Sequence, residues 1–263
     1  MANNPAFTRN AAFQDNPTPE QLQALFDRPS ASGGTMSVED TIAKTALNLA
    51  FVVIAGVIGW NVTAANPTLG WTLVTIAGLV GFGLAMANIF KREPSAVLVL
   101  GYSAAQGVFL GAISMVYEAM FPGIVLQAVL ATFAVFGVTL ALFASGKVRA
   151  SARATKIFMI AMIGYMVYAV INMFIVIFGG ANANPFGLDG DVELFGIPLG
   201  VILGVLVTIM AAYSLVLDFD QIQQGVRHGA PKKFGWTAAF GIMVTMIWLY
   251  MNILRMLAIA RSN

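Results

Sequence analysis

Two aspartates one residue apart, Asp218 and Asp220, close a long apolar run in the stretch SLVLDFDQIQQGVRHGAPKKFGW. A carboxylate at membrane depth costs roughly 2.5–3.5 kcal/mol on insertion scales, so two of them there point to work with cations or protons. On a helix, residues two apart point about 200° from each other, so the pair cannot share one face. Asp218 falls with Ser214, Gln221, Ile222 and Gly225, and Asp220 with Val216, Gln223 and Gln224. One carboxylate can face a helical bundle while the other faces a loop or headgroups. Two successive aspartates ending a helix would also oppose its dipole. Gln221, Gln223 and Gln224 beside them point to a hydrated vestibule.

The other candidate groups are few. Asp189, Asp191 and Glu193 lie in LDGDVEL, which is too short and wrongly spaced for an EF-hand loop and reads as an acidic outer lip that attracts cations. Glu118 closes the third apolar run at its outer side. Lys91 and Arg92 are inner anchors or, alternatively, ion-pair partners of Asp218. Arg255 stands 20 residues into the last run and is expected to snorkel to the outer headgroups. Tyr168 and Asn172 are the polar groups of the fifth run, and Thr245, Tyr250 and Asn252 those of the last. His228 is the only histidine, which excludes a histidine-based triad and a multi-histidine metal site. The lack of cysteine excludes disulfides, thiolate zinc sites and a cysteine nucleophile. No serine has a visible base at membrane depth, so the chain is not expected to be an enzyme.

Composition determines what must position these groups. Of 263 residues 59% are hydrophobic and only 10% charged, with a mean hydropathy of +0.81, whereas soluble domains carry about 25% charged residues. No Asp, Glu, Lys or Arg occurs in 45–90, 94–117, 119–146, 157–188, 194–217 or 234–254. Each interval exceeds the ~20 residues of a helical span, and none alternates as a barrel strand does. The first is broken at NVTAANPT (61–68), so seven spans are expected, near 45–60, 69–90, 95–117, 123–145, 156–179, 195–217 and 235–258. This predicts an all-α integral membrane protein.

With the amino terminus taken as cytoplasmic, the inner loops carry nine of the fourteen basic residues: Lys91, Arg92, Lys147, Arg149, Arg153, Lys156, Arg227, Lys232 and Lys233. The outer loops carry none, which places the carboxyl terminus outside. The net charge of +2 reflects this topology and not a nucleic-acid surface.

Residues 1–36 read as a flexible cytoplasmic tail and 37–263 as the seven-helix domain. The polar start and its acidic residues do not resemble a signal or transit peptide. TPEQLQALFDRP predicts a short amphipathic helix over about 19–27, with Thr18 and Gln21 as a capping box and Leu22, Leu25 and Phe26 on one face. It lies on the membrane or its own protein, or docks a membrane-protein partner. SVED predicts a second cap at Ser37, starting the first membrane helix near 38. Glycines four apart, Gly107 with Gly111 and Gly196 with Gly200 and Gly204, are expected to let helices pack closely.

At LDFDQIQQGV…GAP, followed by AAFGIMVTMIWLYMNILRML, the chain resembles the Bax inhibitor-1 (TMBIM, YccA-like) family over about 40–260, as a bacterial member with an amino-terminal extension. The resemblance implies six helices around a central seventh, in the bacterial inner (plasma) membrane. It further implies a pH-gated calcium leak or, alternatively, modulation of a membrane protease or stress response without transport. The partners so implied are membrane lipid and calcium or other cations; no cofactor is expected beyond transported Ca2+. In the family, aspartates on helices six and seven share a proton and close the pore, and an arginine near the end of helix two pairs with them. Asp218 matches the first aspartate, and Lys91 or Arg92 is nearest to the arginine. Counting back from NILR, the second aspartate position falls on Thr245, which offers only a hydrogen bond.

Overall fold

The computed structural model describes residues 34–91, 93–179 and 184–262. The tail segment expected to form a helix over 19–27 lies outside the described residues, as does Arg92. Among the described residues seven helices are long and apolar enough to cross a membrane. The chain is an all-α membrane protein. In order the elements are α1 (Val38–Ala65), α2 (Pro67–Phe90), α3 (Ala96–Met120), α4 (Ile124–Ala144), α5 (Ala152–Phe178) and the single turn α6 (Leu188–Asp191). The hairpin β1 (Glu193–Leu194) and β2 (Ile197–Pro198) follows, then α7 (Leu199–Arg227), a 3-10 turn (Lys232–Phe234) and α8 (Gly235–Ser262).

Local sequence sets the helix ends. The Ser37 side chain accepts from Asp40 N at 3.1 Å, as the capping box predicts. Asn66 ends α1 and begins α2, its side chain accepting from the amides of Thr68 and Leu69 while Pro67 occupies the first helical position. Glu118, expected only to close a span, also caps the next one: its carboxylate accepts from Gly123 N at 2.6 Å and Val125 N at 3.1 Å. There it meets the positive end of the α4 dipole.

Two expectations need correction here. The sixth span does not begin at 195, nor does its helix end at the aspartates. Residues 193–198 form a two-residue hairpin in which Phe195 (φ 56°) and Gly196 (φ 75°) both take left-handed backbone, as a type I′ turn requires. Gly196 therefore serves the turn, and only Gly200 and Gly204 pack within the span. At the other end α7 continues to Arg227, so Asp218 and Asp220 lie inside the helix and the dipole objection to them disappears.

The described residues divide into two compact units. One comprises 34–116 with Leu217–Thr245. Here α1 and α3 touch through their backbones: a Cβ on Gly111 would lie 1.9 Å from the Gly56 carbonyl oxygen, and one on Gly107 2.4 Å from that of Val52. Such contact gives attraction by dispersion where lipid supplies no hydrophobic drive. Between the same helices, fully buried Ser103 donates to Asn48 at 2.9 Å. The loop after α7 is tied down twice. Met36 N donates to Ala230 O and Lys232 N to Gly34 O, while Asp40 pairs with Lys44 and Lys232, and Lys233 pairs with Glu93.

The other unit comprises Tyr117–Val216 with 246–262. Its α5 exposes Ile160, Ile163, Met166, Val167, Ile171 and Phe174. Only 6% of the apolar stretch of α5 is buried, against 56% for the last span, so α5 is a lipid-facing helix. An apolar surface of this kind is stable only in a bilayer.

Candidate functional site

The helical period decides which groups α7 turns inward. Asp218 is 2% exposed, and Thr245 of α8, 5% exposed, donates its hydroxyl to Asp218 Oδ2 at 2.7 Å. Two of the three residues named for the ion pathway, Asp218 and Thr245, are thus brought together, although 27 residues apart in sequence. Asp220, two residues on, turns away; it is half-buried and accepts from Gln224 Nε2 at 2.9 Å, an i to i+4 contact on its own helix. The predicted division of the two carboxylates between faces holds.

Gln221 shares the Asp218 face and is 7% exposed, so the glutamines do not together line an open vestibule. Both its amide oxygen and its amide nitrogen are buried without a hydrogen-bond partner among the described residues. Leaving a buried polar group unmatched costs about 1–3 kcal/mol. An apolar side chain would avoid that cost, so the amide asks for a function.

Lys91 ends α2 as an exposed residue, and no ion pair to Asp218 is found for it among the described contacts. Asp191 and Glu193 are exposed.

The family model for Bax inhibitor 1 like proteins matches residues 4–262, nearly the whole chain. The chain belongs to the Bax inhibitor 1 like family. A comparison with curated proteins returns no match. In this Bax inhibitor 1 like protein the Asp218 carboxylate on α7 lies opposite the Thr245 hydroxyl on α8. A threonine can satisfy one oxygen of Asp218 but cannot share a proton with it as a second carboxylate would.

In this Bax inhibitor 1 like chain the third carboxylate of that loop, Asp189, does something else. Asp189 is 4% exposed and is no part of an outer lip. It accepts from the Tyr168 hydroxyl and pairs with the Arg255 guanidinium. Arg255 therefore does not simply snorkel to headgroups; its partner is a buried carboxylate 66 residues away, and 34% of its side chain stays exposed. Asn172 supports the arrangement from α5, donating to Phe186 O at 3.0 Å and accepting from Leu188 N at 2.8 Å, which fixes α6 over the helix. Tyr165, Asn252, Gly200 and Gly204 line a small cavity beside the pair.

Sequence reasoning noted Tyr168, Asn172 and Arg255 but did not join them. The available signal was helical spacing: Tyr168 and Asn172 lie four apart on one face of a largely apolar helix, and such polar pairs need a partner.

Proposed function

We propose that this Bax inhibitor 1 like protein is a membrane channel- or transporter-like protein through which calcium, or a related hard cation, leaks. Asp218 is its functional carboxylate, at the inner mouth of the path. The observation that carries this reading is an aspartate 2% exposed inside a membrane-grade helix, with one oxygen of its carboxylate accepting from the Thr245 hydroxyl. Such a group is costly in lipid and is retained where it meets cations or protons. Because Thr245 replaces the second carboxylate, the leak responds only shallowly to pH between about 6 and 8.

The test is calcium entry into liposomes holding the purified protein, followed with a trapped dye. Asp218→Asn should change flux severalfold, whereas Asp220→Asn should change it little because that side chain points elsewhere. Equal and small effects of the two substitutions in folded protein would remove Asp218 from the path.

The proposed setting is the bacterial inner (plasma) membrane, with the amino terminus in the cytoplasm and the carboxyl terminus outside, from the distribution of Lys and Arg among the loops. A tag in the loop at 146–151 should be protected in intact cells, and a tag near Asp191 should be reached from outside. Labelling of the first tag in unbroken cells would reverse the orientation.

A further inference from the structure

Amides within the membrane helices are in general answered by the protein. Asn48 bonds with Ser103, Asn172 holds the backbone of Phe186 and Leu188, and Asn252 donates to Gly204 O and Thr208 Oγ1. Gln221 departs from this pattern, with both amide atoms buried and without a hydrogen-bond partner among the described residues. It follows Asp218 by three residues, which puts it on the same helix face about 4.5 Å further along the axis. Leu217, Phe219 and Ile222 around it are all buried, so bulk water does not solvate the amide.

The chemistry of this face selects its ligand. The Asp218 carboxylate, the Thr245 hydroxyl and the Gln221 amide oxygen are all hard oxygen donors. No thiolate or imidazole stands among them, which disfavours soft metals, and the carboxylate disfavours anions. A side-chain amide can turn its oxygen to a cation and its nitrogen to a water in that cation's shell. Among the described residues no three His, Cys, Asp or Glu side chains gather, so a cation here would be held mainly by neutral oxygens and its own waters. Binding of that kind is weak enough for an ion to leave again.

We propose that Gln221 is an oxygen ligand, inward of Asp218, in a site for a hydrated hard cation on α7. The proposal rests on the reading that Asp218 lines a cation path, and it adds a residue that sets how tightly the ion is held.

The test uses the full chain in detergent micelles, with Ca2+ alone as the probe and binding read by titration calorimetry at fixed ionic strength. Gln221→Leu should weaken Ca2+ binding at least threefold while its melting temperature without Ca2+ is no lower than that of the parent, because an unmatched amide has been removed. Gln221→Glu should tighten binding about tenfold by adding a second carboxylate to the site. Unchanged Ca2+ binding in Gln221→Leu, with the melting temperature raised, would show that the amide serves water alone and would overturn the proposal. Should the leucine variant fail to fold, the glutamate variant decides: no tightening in folded protein overturns it equally. Asp218→Asn separates the two readings. If it abolishes binding while Gln221→Leu does not, only the role of Gln221 fails; if it leaves binding intact, the assignment of Asp218 itself fails.

Discussion

Arg255→Met should destabilise the protein by about 3 kcal/mol, near the lower end of what breaking a buried ion pair costs. The reason is the asymmetry of the pair. Among the described residues Asp189, 4% exposed, keeps only the Tyr168 hydroxyl when the guanidinium is gone, so a buried carboxylate must be carried without its counter-charge. The lower end applies because 34% of the Arg255 side chain is exposed and water screens part of the attraction. Asp189→Asn should cost less: the amide oxygen still accepts from Tyr168, and the remaining guanidinium keeps its access to water. The double variant should recover part of the loss, because the two groups act as one unit. Thermal unfolding in detergent, read by the loss of monodisperse protein, measures all three. Equal stability of Arg255→Met and the parent protein would mean that the pair contributes nothing to folding.

Thr245→Asp should turn a shallow pH response of calcium flux into a steep one. In the parent protein the hydroxyl donates to Asp218 at 2.7 Å, and a hydroxyl cannot share a titrating proton with the carboxylate as a second carboxylate would. Two carboxylates that close cannot both carry charge cheaply, so they hold one proton between them and release it as the pH rises. The variant thus has one more negative charge from the added carboxylate on the path at the alkaline end than at the acid end. The ratio of liposome flux at pH 8 to that at pH 6 should move severalfold away from the parent's value. Thr245→Asn, neutral and of similar size, should stay shallow and controls for the changed packing. A folded aspartate variant with the parent's pH ratio would show that these two positions do not act as a pair.

Sequence alone determined the membrane class, the number of spans and several helix ends, because each depends on short-range terms. Transfer of an apolar segment into lipid is a sum over about twenty adjacent residues, so the charge-free intervals locate the helices without knowledge of their neighbours. Ser37 and the Asn66–Pro67 junction act on amides two or three residues away, and the helical period alone sends Asp218 and Asp220 to different faces. Tertiary structure decided the rest. Nothing local says that α7 passes its aspartates and continues to Arg227, because the loop that ends it is fastened by Gly34, Met36, Lys44 and Glu93 from distant parts of the chain. Nor does hydropathy tell Asp189 from Asp191, which stand two residues apart in the same acidic loop. One is buried against Arg255 and Tyr168, and the other faces out. A charge is buried or exposed according to what packing brings to it, and here the counter-charge lies 66 residues further along the chain. Gln221 shows the same dependence from the opposite side: its amide is conspicuous only once every neighbour is in place and none of the described groups answers it.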